Sequence, residues 1–144
     1  MQNKVEAYYR EEHAQNRPVL TSAEDVDVLI DSLLTTPPYH NLAELHSLTR
    51  TLLPSGFPDH ELLVGVDKDL QVGVLEFMDA DGNAVTVGSL KRGDGIPYFC
   101  VGNATDFPDG SEISIDLIRQ AVKEFLASGG QRPTCIEWQE PESW

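Results

Sequence analysis

The chain predicts an α+β fold, a mostly antiparallel curved sheet with two main helices packed on one face. Apolar residues recur at helical spacing in two well-separated segments. Between and around those segments lie short apolar or alternating runs, and the turns that join them, rich in Asp and Gly, are too short to return a strand in parallel. Helices that bury one stripe against one face of such a sheet form the simplest layered arrangement for this order of elements. At 144 residues and 40% hydrophobic content, the chain suits a single domain over residues 1–144.

Val5 to Arg10 alternates with period two and opens the chain as a strand, followed by a polar connection from Glu11 to Pro18. Thr21 or Ser22 then offers a helix N-cap, with Glu24 or Asp25 three residues on to complete a capping box. Val26, Leu29, Ile30, Leu33 and Leu34 follow at i, i+3, i+4, i+7 and i+8, one apolar stripe that leaves Asp25, Asp27 and Asp31 off it. Pro37 and Pro38 stop this helix, because proline lacks the amide donor and pushes the preceding residue out of the helical region. Asn41 to Leu53 carries two signatures. Asn41 with Glu44 imitates a capping box, but Ala43, Leu45, Ser47 and Thr49 alternate, and the strand reading is preferred.

Glu61 to Val66, Val72 to Met78 and Ala84 to Gly88 read as strands, separated by Asp67-Lys68-Asp69 and by Asp79-Ala80-Asp81-Gly82-Asn83. Asp-Gly between apolar runs is a strong hairpin signal. Tyr98 to Val101 adds a strand after the Lys91 to Gly95 turn, and Val101 to Glu112 reads as an acidic, turn-rich loop. Ser114 caps a second helix whose stripe is Ile115, Ile118, Val122 and Leu126, widened by Ala121 and Phe125 and closed by Gly129-Gly130. Pro133 to Gln139 ends the fold as a strand, with Thr134, Ile136 and Trp138 on one face and Cys135 and Glu137 on the other.

Charge narrows the partners. Twenty-four Asp and Glu against ten Lys and Arg leave a formal net charge of -14, which repels phosphate backbones and anionic membranes and attracts basic proteins. Neither direct nucleic-acid binding nor membrane binding is expected. The plainer reading of the same charge is solubility. No apolar stretch approaches the ~20 residues that span a bilayer, and Met1 to Glu6 lacks a basic region followed by an apolar core, so a cytoplasmic location is expected. Cys100 and Cys135 sit in apolar runs without a ligand or redox spacing, and are expected to be buried free thiols.

Catalytic motifs are scarce. The His-x-Glu and Pro-Cys-x-x-Cys pair of a zinc deaminase is missing, and His13, His40, His46 and His60 form no His-Glu-x-x-His. Asp79-x-Asp81-x-Asn83 begins like a calcium loop, but Ala84 stands where glycine is needed and Leu90 where glutamate is needed. Gly88-Ser89-Leu90-Lys91-Arg92-Gly93 lacks the Gly-Lys-Ser/Thr ending of a phosphate loop. No metal, no cofactor and no catalytic residue is therefore expected. The alternative is a small hydrolase or transferase using Glu76, Glu137 or Cys100, which requires those side chains to converge on a cleft. A generic acidic adaptor for some basic protein is a further alternative.

What remains is a binding surface. Asp106, Asp109 and Glu112 flank an exposed-looking Phe107, and Trp138 and Trp144 lie near Glu137 and Glu140, the composition of an apolar anchor in an acidic rim. The candidate partner-binding set is Asp79, Asp81, Asp106, Phe107, Asp109, Glu112, Glu137, Trp138 and Glu140. Core packing is the competing reading for Trp138, tucking back under its own loop is that for Phe107, and a solvated turn is that for Asp106 and Asp109. Carboxylates on such loops chiefly speed encounter with a cationic partner, and their joint reversal at Asp106, Asp109 and Glu112 is expected to leave the domain folded.

Val101 to Glu112 and Pro133 to Glu140, together with Leu63-Val64-Gly65-Val66-Asp67 and Gly73-Val74-Leu75-Glu76-Phe77, resemble the Imm1 family of immunity proteins from bacterial polymorphic toxin systems, most clearly over residues 58–140. The positions that carry the family pattern are Gly65, Val66, Gly73, Phe77, Asp79, Gly88, Tyr98, Phe99, Phe107, Pro108, Glu137 and Trp138. The resemblance implies an immunity protein that binds and neutralises a cognate toxin domain, commonly of the deaminase superfamily, by covering its active site or substrate channel.

Overall fold

The computed structural model describes residues 2–93 and 95–140. In chain order the elements are β1 (Val5–Tyr8), β2 (Val19–Leu20), α1 (Ala23–Thr35), β3 (Leu42–Ser47), β4 (Glu61–Asp67), β5 (Val72–Asp79) and β6 (Gly82–Thr86), then β7 (Ile96–Cys100), β8 (Asn103–Phe107), β9 (Ile113–Ser114), α2 (Ile115–Ala127) and β10 (Trp138–Gln139). The main sheet runs β10-β6-β5-β4-β3-β1-β2, with β9 paired to β5, and β7 and β8 form a separate hairpin. Every pairing is antiparallel. The α+β fold expected from the sequence is the one observed. No helix among the described residues is long and apolar enough to cross a membrane.

Local chemistry accounts for the element ends. Ser22 Oγ accepts the Asp25 amide at the start of α1, and Asp25 Oδ2 accepts the Thr21 amide, so both directions of the cap are filled. Ser114 Oγ accepts the Leu117 amide at the start of α2. At its end Gly129 and Gly130 take positive φ, and the Gly130 amide donates to the Phe125 carbonyl. Between β5 and β6, Asp79 Oδ1 accepts the Asp81 amide at 2.9 Å, the turn that the Asp-Gly pair implied. Asn41 does not cap a helix; its side chain accepts the Phe99 amide at 2.8 Å, which leaves the following residues free to enter β3.

The two faces of the sheet are covered by different layers. On one, Ala43, Leu45, Leu62, Val64, Leu75 and Phe77 pack with Leu29, Ile30 and Leu33 of α1 and Ile118, Val122 and Phe125 of α2. Each large aliphatic side chain buried there contributes roughly 1.5 to 3 kcal/mol. On the other, Leu42, Leu63, Val74 and Val85 lie beneath Ile96, Tyr98, Cys100 and Phe107 of the β7–β8 hairpin. Gly65 marks the close approach: a Cβ there would stand 2.6 Å from Cδ2 of Tyr98, so only glycine admits the ring.

Three expectations are corrected. First, Asn103–Phe107 of the supposed loop from Val101 to Glu112 is strand β8, joined to β7 by a two-residue turn in which Val101 (φ 49°) and Gly102 (φ 81°) both take positive φ. That backbone suits a tight hairpin, but valine at its first position hides it from sequence reasoning. Second, the closing strand shrinks to Trp138–Gln139, because the Glu124 carboxylate accepts the Thr134 and Cys135 amides at 2.7 and 3.1 Å and removes them from any ladder. Third, Cys100 is buried and free as expected, but Cys135 is exposed.

Candidate functional site

Asp79, Asp81 and Glu140 come together. They line a groove of about 410 Å³ at the β5–β6 hairpin, with Phe77 and Asn83 on one wall and Gln131 and Arg132 on the other. The hairpin turn sets the two aspartates, and β10 sets Glu140 by pairing Gln139 with Val85 of β6. Trp138 holds this corner as a half-buried strut: its indole Nε1 donates to the Pro133 carbonyl at 2.8 Å, the Arg132 guanidinium lies 5.9 Å from its ring centroid, and its body packs on the helix-side core. Glu137 is exposed on the segment leading into β10. Trp144 lies outside the described residues.

The other candidates scatter. Asp106 is exposed on β8, opposite Pro97. Asp109 is a loop clamp: its carboxylate accepts the Arg92 and Gly93 amides at 2.7 and 3.1 Å, and these bonds, the Arg92 one first, hold its pKa below the usual carboxylate value.

Phe107 takes the buried of its two readings, and Glu112, expected on the surface, is buried as well. Phe107 is 1% exposed and meets Tyr98 edge-on at 5.6 Å between centroids, so it anchors the hairpin to the sheet and has no surface to offer a partner. Glu112 is 2% exposed. Its Oε2 accepts Tyr98 Oη at 2.5 Å and Arg92 Nη2 at 2.6 Å, and the same Arg92 nitrogen reaches Asp67 Oδ2 at 2.9 Å. A buried carboxylate is tolerable only with such partners, and here a hydroxyl and a guanidinium supply them. Nothing in the residues around Glu112 announces this, since Tyr98 and Asp67 arrive from distant strands. Reversing its charge would break the pair in the interior, which contradicts the expectation that such a change leaves the domain folded.

A second group of carboxylates escaped sequence reasoning. Across the hairpin-side face, strand register places Val85, Glu76, Leu63, Glu44 and Tyr8 in one row. The next row outward carries Met78 opposite Glu61 and His46 opposite Glu6. His46 Nε2 stands 3.5 Å from Glu61 Oε2 and its Nδ1 3.7 Å from Glu6 Oε1, and Arg17 reaches that Glu6 oxygen at 3.4 Å. Glu76 is 2% exposed and makes no side-chain hydrogen bond or ion pair with any described residue. Burial, with nearby Glu61 adding to it, pushes its pKa up to about 7. The signal was available only as alternation: Glu44, Glu61 and Glu76 each occupy the non-helix side of a strand whose other side is apolar.

The chemistry these groups support is recognition of positive charge. Cys100 shares the hairpin-side face, but burial, followed by the charge of Glu44, pushes its thiol up to about 12, far from a reactive thiolate. Among the described residues no three His, Cys, Asp or Glu side chains are grouped so as to hold a metal ion.

A family model described as immunity protein Imm1 matches residues 14–140. No curated protein matches the chain.

Proposed function

This chain belongs to the Imm1 family of immunity proteins, and we propose that it neutralises a cognate toxin of the nucleic-acid deaminase type by laying an acidic surface over the toxin's active site or substrate channel. The observation that carries the reading is the groove in which Asp79, Asp81 and Glu140 converge on a hairpin turn and an adjoining edge strand. The hairpin turn and the end of β10 bring these carboxylates to one groove. An enzyme acting on nucleic acid needs a basic face to hold its polyanionic substrate. A protein of net charge -14 complements that face and competes with the substrate for it. Asp106 and Glu137, both exposed, extend the acidic rim that steers the encounter, and Trp138 supports the corner on which Glu140 stands. Inhibition then needs no chemistry from this chain, and it takes place in the cytoplasm of the cell that makes the toxin.

The test is a calorimetric titration of the toxin domain encoded beside this protein's gene, with deaminase activity followed in parallel. Stoichiometric loss of activity is expected. The combined D81K and E140K variant, which leaves Asp79 to hold the turn, is expected to bind at least tenfold more weakly, about 1.4 kcal/mol, at unchanged melting temperature. A fully active toxin in the presence of excess protein overturns the proposal and favours the adaptor for a different basic protein.

A further inference from the structure

The β7–β8 hairpin covers only part of its face of the sheet. Its side chains rest on Leu42, Leu63, Val74 and Val85, and at the margin of that apolar patch the rows turn polar, with Glu44 and Glu76 flanking Leu63 and Glu61 one row further out. Glu61 keeps 31% of its side chain exposed, so the outer row is open. Glu76 is the anomaly: 2% exposed, on the same face, and without a hydrogen bond or ion pair to any described residue. An isolated carboxyl costs free energy wherever it is buried, and an apolar residue would fill the place better if stability were its only role.

We infer that the Glu44, Glu61 and Glu76 side of the sheet is a docking site for an arginine side chain of a protein partner, and that Glu76 is the group the guanidinium completes. The inference rests on the immunity reading for the identity of the partner and on the face itself for its chemistry. Glu61 and Glu76 sit diagonally on neighbouring antiparallel strands, a geometry that sets Cβ atoms about 7 Å apart, close enough for one planar guanidinium to bond both carboxylates. The partly exposed Met78, opposite Glu61, provides apolar surface for the methylenes of the arginine. Arginine suits a half-desolvated site better than lysine, because its guanidinium is weakly hydrated and forks to two acceptors. Arg17 faces Glu6 and the His46 ring lies between Glu6 and Glu61, whereas no described cation reaches Glu76. The groove of Asp79 and Glu140 lies on the opposite face of the same sheet end, since Asp79 shares the side of Phe77, so one partner wrapping that end engages both.

The experiment has two arms. Amide and side-chain carboxyl shifts of the isotopically labelled protein are followed as N-ethylguanidinium is added, for the wild type and for the E61Q/E76Q variant. Saturable shifts centred on Glu44, Glu61 and Glu76 are expected, reduced at least fivefold in the variant. Shifts that survive in the variant, or that are no larger there than at exposed Asp31 of α1, overturn the site. In the second arm the same variant is titrated with the co-encoded toxin domain, where a tenfold or greater loss of affinity is expected. Wild-type binding that the variant retains in full overturns the docking site and leaves the immunity reading standing. A wild type that does not bind the toxin overturns the immunity reading, and the guanidinium arm then decides the site alone.

Discussion

On the helix side of the sheet Leu62, Leu75 and Phe77 meet α1 and α2 through an apolar layer, whereas on the hairpin side the layer of Leu42, Leu63 and Val74 gives way within one row to Glu44 and Glu76. The difference lies in what each cover can reach. Two helices of 13 residues span the strands they cross, while a hairpin of five-residue strands does not. Where the cover ends, the sheet keeps ionisable groups, Glu44 half-buried and Glu76 buried. Stability is concentrated on the first face, and the buried ionisable groups next to it in the strands lie on the second.

The helix face should be the harder to damage without unfolding. Phe125, fully buried against Phe77 and His60, is expected to cost about 3 to 5 kcal/mol when changed to alanine, read as a shift in urea midpoint. Trp138→Ala, at a half-buried edge position, should cost clearly less in the same assay. A Trp138 effect as large as that of Phe125 would erase the distinction between layer and edge.

Glu112→Lys probes where the hairpin face is fully closed. It replaces a buried, paired carboxylate by a cation facing Arg92, so a loss of roughly 3 to 5 kcal/mol is expected. Retained stability would mean that the Tyr98 and Arg92 contacts do not hold the hairpin down.

Glu76 probes where that face is left incomplete, and its effect depends on pH. Its folded pKa of about 7 lies above the unfolded carboxyl value near 4.5, so the folded state holds the proton more tightly. The contribution is fully present below about pH 4.5 and is lost as pH rises through about 7, by roughly 3 kcal/mol in all. Glu76→Gln cannot ionise, so the variant should match the wild type in acid and exceed its stability at pH 8, in urea titrations across that range. Equal stability at both ends would show Glu76 to be solvated. Asp106→Lys, on an exposed strand position, should change the unfolding free energy by less than about 0.5 kcal/mol.

Helix α1 and helix α2 were legible almost to their caps, because a 3.6-residue stripe and a serine cap are local statements. Strands β4, β5 and β6 were legible from apolar runs cut by Asp-rich turns. Strand β8 was not, since its turn begins with a valine in the left-handed region, where glycine, asparagine or aspartate is the usual signal. The closing strand was overread because the carboxylate that captures its amides, Glu124, sits on a helix. Among the candidate site residues, Asp79 and Asp81 owe their placement to a turn visible in the sequence, but their meeting with Glu140 needs the β6–β10 pairing.

Composition and periodicity by themselves determined the fold class, the two helices and the sign of the charge offered to a partner, since each depends on residue types and short-range spacing. Only the tertiary structure decided which carboxylates are surface and which are interior. Asp106 and Glu112 stand six positions apart in one acidic segment, yet one faces solvent and the other is sealed against Tyr98 and Arg92. Burial of a charge is set by partners that strand register brings from far along the chain, and no local pattern encodes them.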